Sequence, residues 1–273
     1  MTNTPFLAAA IQLHSTEDVL RNVAAAEDQV RRAAARGARL VTLPENFAFL
    51  RIHKDTPQPR IGLDHAIVVG MCELARSLGV DLVLGSIPEP SDDAVKTYNS
   101  SVYIDALGGI RAVYRKMHLF DIDLPGQVSL RESDTMLRGT TPTLIDAGLG
   151  LVGLSICYDL RFPELYRRLT AEGARVLLVP AAFTLQTGKD HWQVLLRARA
   201  IENQCYVIAA AQYGHHGGTR YSYGKALIAD PWGLVLATSP DGLGFALAEI
   251  DYAKQDEIRR GLPCASHRNP ALG

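Results

Sequence analysis

Leu154–Tyr166 reads LSICYDLRFPELY, and the fold turns on how this stretch is parsed. The apolar run ends at Cys157 and breaks into a polar turn before Pro163, a residue suited to the first turn of a helix. The segment is therefore a strand-to-helix junction with a thiol at its corner. Upstream of it, TPTLIDAGLGLVGLSIC reads as a hairpin turning near Gly148, and TYNSSVYIDALGGIRAVYRKM as another turning at Gly108-Gly109. Earlier still the chain alternates. FLAAAIQL and ARLVTLPE are strand-like, and between them Val19, Val23, Ala26, Val30 and Ala33 recur at helical spacing, with Gly37 placed to end that helix. Ser15-Thr16-Glu17-Asp18 is its capping signal, and a second helix over Leu63–Leu78 leads to the strand DLVLGSIPE.

Downstream of Cys157 the alternation resumes. A helix is expected from about Pro163, a strand in ARVLLVPAA, a helix from Asp190 through Gln204 and a strand in CYVIAAAQY. SYGKALIAD, GLVLAT and GFALAEID close the set as strands before a helix over Tyr252–Arg260. Interleaved βα units with hairpins among them predict an α/β protein of two packed sheets with helices outside. No repeat or linker-like run divides the 273 residues, so one domain over residues 1–273 is expected.

Composition narrows the function classes. Hydrophobic residues make up 47% and charged residues 21%, which excludes a disordered chain. The net charge of −1 gives no electrostatic reason to expect nucleic acid or an anionic membrane as partner. The N-terminus lacks the basic region and apolar core of a signal peptide, so a cytoplasmic protein is expected. Four cysteines without a C-x-x-C pair read as thiols. Cys72 and Cys205 are read as packing residues and Cys264 as peripheral.

Two motifs fail on context. Gly148-Leu-Gly150-Leu-Val-Gly153 fits a dinucleotide fingerprint by letter, but it leads into a strand instead of opening a helix. His215-His216 sits in a Gly-rich stretch without companion carboxylates and reads as a solvated loop, so no metal is expected.

Three polar residues fall where apolar strands run out: Glu45 after LVTLP, Lys116 after IRAVYR and Cys157 after VGLSI. Functional groups gather at strand ends in sheet architectures. Taken singly, each also fits a plainer role, as a cap, a solvated strand terminus or a core thiol. A Cys-His hydrolase using His118 or His191 stays open at this level.

The blocks LPENFAFL, YRKMHLFDIDLPG and GLSICYDLRFPELYR resemble the signature blocks of the nitrilase superfamily of carbon–nitrogen hydrolases, which carry its Glu, Lys and Cys in that order. PAAFTLQTGKDHWQVLLRARAIENQCYVIAAAQYG and DPWGLVLA extend the likeness over nearly the whole chain. The phrases LLRARAIENQCYVIAAAQ and ESDTM make it more similar to the Nit-type deaminated glutathione amidases than to the ω-amidases, which act on α-ketoglutaramate.

The resemblance implies a four-layer α-β-β-α sandwich of two mixed sheets and a homodimer. It also implies an amidase with Cys157 as nucleophile, Glu45 as base and Lys116 as cation, working without metal or organic cofactor. Lys116 and the backbone N–H of Tyr158 are the expected oxyanion donors, and Glu132 is the additional acid beside Lys116. For an acidic, peptide-like amide, Arg161 can pair with a carboxylate while Phe183 and Thr187 line the other side; an ion pair between Arg161 and Glu164 is the plainer alternative. Lys225 and Asn269 depart from the group's usual pattern and bear on substrate and subunit contacts.

Overall fold

A computed structural model describes residues 4–124, 128–269 and 271. The first third runs β1 (Phe6–Leu13), α1 (Val19–Ala35), β2 (Ala38–Thr42), α2 (Ala66–Leu78), β3 (Asp81–Pro90), β4 (Thr97–Ile104) and β5 (Ile110–Arg115). A small hairpin follows, β6 (Asp121–Leu124) and β7 (Val128–Arg131), then β8 (Met136–Leu137), β9 (Thr143–Asp146) and β10 (Leu151–Leu154). The rest comprises α3 (Pro163–Ala171), β11 (Val176–Leu178), α4 (Leu185–Asn203), β12 (Tyr206–Ala209), β13 (Ala211–Gly217), β14 (Arg220–Tyr223), β15 (Leu227–Ala229), β16 (Val235–Thr238), β17 (Gly244–Ile250) and α5 (Tyr252–Gly261).

One sheet has the order β14-β13-β1-β2-β3-β4-β5, with β17 also beside β1 and β8 beside β4; the other has the order β16-β15-β12-β11-β10-β9. Both mix parallel and antiparallel pairs. Alternation along β1 divides the interior. Phe6, Ala8 and Ala10 join the core shared with the second sheet, whereas Ala9, Ile11 and Leu13 pack toward Val30 of α1 and Val68 of α2. On the far side, α3 and α4 cover the second sheet, α4 through a buried stripe of Trp192, Leu196, Arg199, Ala200 and Asn203. The result is the expected layering of helices, sheet, sheet and helices.

Local differences have physical causes. Asp18 caps α1 by accepting from Arg21 N at 3.1 Å, while Glu17 turns away to accept from Ile52 and His53 N–H, both at 2.8 Å. Helix α4 starts five residues before the expected Asp190 and runs through Gly188. Gly188 is there for contact: a Cβ would lie 2.3 Å from the Tyr223 side chain. The run CYVIAAAQY is two strands, because the chain leaves the second sheet after Ala209 and enters the first at Ala211. SYGKALIAD splits likewise, crossing back through Gly224 and Lys225, both with positive φ. The β6–β7 hairpin was not legible in advance, and Pro125 and Gly126, which end the second signature block, lie outside the described residues.

Candidate active site

Glu45 is presented by a tight turn just beyond β2. Leu43 N–H donates to Val83 O at 2.9 Å, extending the sheet by one residue. Gly85 lets that backbone pass, since a Cβ there would sit 2.0 Å from Leu43 O. Ser86 Oγ accepts from Asn46 N–H at 2.9 Å, and Gln212 Nε2 donates to Glu45 O at 3.0 Å. The carboxylate is then fully engaged. Oε1 accepts from Lys116 Nζ at 2.8 Å and Asn99 Nδ2 at 2.9 Å, and Oε2 accepts from Ala182 N–H at 2.8 Å.

Lys116 follows β5 and is anchored through its backbone, with Lys116 N–H donating to Asn99 O at 2.9 Å and Gly139 N–H donating to Lys116 O at 2.8 Å. Its ammonium is only 2% exposed and also reaches Glu132, at 3.1 and 2.8 Å from the two oxygens. Glu132 is held in turn by Phe120 N–H at 2.7 Å and Asn99 Nδ2 at 3.0 Å. One side chain that the sequence reading missed, Asn99, thus bridges both carboxylates.

Cys157 begins a short 3-10 helix (Cys157–Arg161) with φ 47°, a left-handed conformation that non-glycine residues rarely adopt. Its N–H donates to Pro180 O at 2.9 Å. The corner is pinned by buried Asp159, which accepts from Ile156 N–H at 2.8 Å, Tyr114 Oη at 2.7 Å and His118 N–H at 3.0 Å. His118 Nδ1 also lies 2.7 Å from Asp159, and its ring stacks on Phe162 at 3.8 Å. Among the described residues no hydrogen bond joins His118 or His191 to the Cys157 thiol, whereas the Glu45 carboxylate accepts one from it. Tyr158 N–H lies in the first turn of the 3-10 helix, where N–H groups lack an intrahelical acceptor.

Charge follows from this packing. Burial pushes Glu45 upward, but the Lys116 ammonium and hydrogen bonds from Lys116, the Cys157 thiol and Ala182 N–H outweigh it and hold the carboxyl below its ordinary value. Burial also opposes the Lys116 charge, yet Glu132 and Glu45 raise its pKa well above normal. The thiol of Cys157 is pushed well up, first by burial and then by the charge of Glu45, against which Lys116 pulls without prevailing. Lys116 alone does not make a thiolate. The resting site holds a neutral thiol beside an ionised carboxylate, the arrangement of a nucleophile with its base.

Two spaces meet at the thiol. A recess of about 10 Å³, the room of roughly one water, is lined by Cys157, Tyr158, Arg161, Phe183 and Thr187. The three expected substrate-binding residues are therefore brought together, but tightly. Arg161 lies over the Phe183 ring at 5.1 Å with Nη1 3.2 Å from His191 Nδ1, an arrangement that replaces the alternative pair with Glu164. Thr187 Oγ1 is 2.9 Å from Thr184 Oγ1. The second space, about 600 Å³, contains Glu45, Lys116, Glu132 and Cys157 on its lining together with Arg51 and Arg220.

Elsewhere the sequence reading is sharpened. His215-His216 is not a solvated loop but part of β13; His215 is exposed and His216 is buried. Among the described residues no cluster of His, Cys, Asp or Glu could hold a metal ion, and no helix is long and apolar enough to cross a membrane. Cys72 is half-buried in α2, Cys205 is buried and Cys264 exposed. Lys225 pairs with Asp241 at 2.5 Å.

Residues 7–260 match the family model described as carbon-nitrogen hydrolase. The chain belongs to the carbon–nitrogen hydrolase family. This hydrolase is 44% identical over 267 residues to a deaminated glutathione amidase of Synechocystis, covering 97% of the present chain and 98% of the relative. The human deaminated glutathione amidase is 42% identical, over 97% and 83% of the two chains. Among solved structures, the Caenorhabditis elegans NitFhit protein superposes with a TM-score of 0.91 at 40% identity, covering 100% of the hydrolase and 67% of that chain. Saccharomyces cerevisiae Nit3, a member of branch 10 of the nitrilase superfamily, gives 0.85 at 30% identity, with 97% of each chain covered. The hydrolase is an amidase, its fold and its relatives agreeing on that class.

Proposed function

We propose that the hydrolase cleaves deaminated glutathione through a thioester on Cys157. As sulfur attacks the amide carbonyl, its proton passes to Glu45. The carbonyl oxygen becomes an oxyanion received by Lys116 Nζ and Tyr158 N–H, donors worth about 3 to 4 kcal/mol each in such sites. The C–N bond then breaks, and Glu45 hands its proton to the departing amine. Water deprotonated by Glu45 opens the thioester, releasing the acid and restoring the thiol. Glu132 holds Lys116 and orients the substrate amide, while Arg161, Phe183 and Thr187 bound the narrow side of the thiol. Every step uses groups of the chain itself, side chains and the Tyr158 N–H, without metal or cofactor.

The observation that carries this reading is the hydrogen-bonded set Glu45–Lys116–Glu132 against the Cys157 thiol, on the lining of one cavity. The relatives named deaminated glutathione amidase support the substrate over the alternative, an ω-amidase acting on α-ketoglutaramate. The same reading makes residues 1–273 one catalytic domain, working as a cytosolic homodimer. Exposed Val194 and Ile201 on α4, beside Trp232 and Leu234, offer an apolar surface for a second copy.

A turnover panel tests it. Deaminated glutathione is expected to be cleaved with higher kcat/KM than α-ketoglutaramate, simple nitriles or N-carbamoyl amino acids. Mass spectrometry of quenched reactions should find the acyl group on Cys157. Preference for α-ketoglutaramate refutes the substrate, and turnover surviving in Cys157→Ala refutes the thioester.

A further inference from the structure

The larger cavity holds a feature that the acid–base chemistry does not use. Arg51 and Arg220 lie on its lining, together with Glu45, Lys116 and Cys157. Arg220 begins β14 and its Nη1 donates to Arg51 O at 2.9 Å, so the two residues are neighbours across the gap between the β13–β14 hairpin and the loop that follows Glu45. Gly217 keeps that gap closed, since a Cβ there would sit 3.0 Å from the Ile52 side chain. The contact runs from the Arg220 guanidinium to the Arg51 backbone, so the guanidinium has no anion in direct contact among the described residues. The two acids nearest the reaction centre, Glu45 and Glu132, are both spent on Lys116. Among the described residues neither arginine has a carboxylate within ion-pair distance, and the Arg220 guanidinium donates to a backbone carbonyl.

Burial is the largest influence on the Arg220 charge and disfavours it; Glu45 and Glu132 offset this through space, and Arg51 opposes the charge to a smaller degree. A guanidinium held in a cavity without a carboxylate in contact is suited to a ligand that brings one. Guanidinium matches carboxylate in a two-point contact, and the donors of Arg220 not used by Arg51 O remain for it. The narrow recess beside Arg161 is too small for this task, at about 10 Å³ against about 600 Å³ for the larger space.

We propose that Arg220, supported by Arg51, binds a carboxylate of the substrate at the wall of the larger cavity and so selects amides of acids over neutral amides. This rests on the amidase reading but not on deaminated glutathione in particular. The plain alternative is a tether, in which Arg220 only fastens the hairpin to the Arg51 loop. A tether would not distinguish a charged substrate from a neutral one of the same shape.

The test therefore compares succinamate with butyramide, which differ by a carboxylate in place of a methyl group. In the wild-type enzyme kcat/KM should favour succinamate. Arg220→Gln should lower the ratio of the two by about tenfold or more, mainly through KM for succinamate, the usual scale for a lost charged hydrogen bond; Arg220→Lys should recover part of it. Binding of the same two probes to full-length Cys157→Ala, with and without Arg220→Gln, reads the site without turnover. Equal loss for both amides, an unchanged ratio, or a wild-type protein with no preference for succinamate overturns the proposal. Should the enzyme ignore deaminated glutathione while Arg220→Gln still shifts the ratio, the substrate named above fails and the carboxylate site stands.

Discussion

The floor and the wall of the cavity are built on opposite principles. On the floor every charge has its answer: Glu45 accepts from Lys116, Asn99, Ala182 N–H and the Cys157 thiol, Lys116 sits between two carboxylates, and Asn99 ties those carboxylates together. Along the wall, Arg51 and Arg220 face the space with no carboxylate within ion-pair distance among the described residues. Saturation fixes geometry, and an attacking thiol needs fixed geometry. Unanswered charge waits for a ligand. The difference separates reaction from selection, and it predicts that floor substitutions depress all substrates alike whereas wall substitutions change their ranking.

The largest effect should come from the floor. Glu45→Gln removes the base but keeps the size of the side chain, and kcat/KM is expected to fall on the order of 10⁴-fold or more for acidic and neutral amides together, the scale seen when one member of a nucleophile–base unit is lost. Steady-state kinetics on both amide types checks this, with circular dichroism to confirm folding. A loss confined to one type would break the division between floor and wall.

Next in size is an effect on the support of the wall. His216 Nδ1 faces Ser15 O at 2.8 Å; because a carbonyl only accepts, Nδ1 must carry the proton and Nε2 is left bare and buried, without a partner among the described residues. Burial, and behind it His14, Arg220 and His215, lower its pKa from 6.5 to about 4 against the pull of Ser15 O. With the folded pKa below the unfolded one, the unfolded chain takes up the proton first on acidification. Stability contributed by neutral His216 is thus whole above about pH 6.5 and is lost as pH falls toward 4, a difference on the order of 3 kcal/mol. Urea unfolding at pH 7 and pH 4.5 should show a smaller pH-induced loss in His216→Asn than in wild type. Identical losses would remove His216 from the explanation.

Strand ends marked Glu45, Lys116 and Cys157 only as candidates, and the resemblance of their sequence blocks to the family's signatures singled them out together with Glu132. Glu45, Lys116 and Cys157 each follow a strand that the period-two pattern already marks. Asn99 and Asp159 were not legible. Asn99 lies within β4, and nothing in TYNSSVYI says that its amide meets two carboxylates from distant segments. The wall was hidden for another reason. YGHHGGTR looks like a polar loop until the chain is seen leaving one sheet after β12 and entering the other at β13, a crossover that depends on tertiary packing and has no local signature. The same blindness merged β12 with β13 and β14 with β15, and it directed attention to Arg161, four residues beyond Cys157, instead of to Arg220.

Asn99 gives the smallest and most discriminating test of the comparison. Its Nδ2 donates to Glu45 Oε1 and Glu132 Oε1, and its own Oδ1 is buried without a partner among the described residues. It touches no space that a substrate enters, so it acts through the carboxylates it positions. Asn99→Leu, similar in size but without donors, should cost about 2 kcal/mol of transition-state stabilisation, roughly a thirtyfold fall in kcat/KM. Removing a donor to the charged form of Glu45 must raise the pKa of that carboxyl, so the acid limb of the pH profile should move to higher pH. A merely structural loss would lower activity and leave the limb where it was. Because Asn99 belongs to the floor, succinamate and butyramide should suffer equally, the opposite of Arg220→Gln. If Asn99→Leu changes their ratio, selection reaches into the catalytic set and the two regions are not separable.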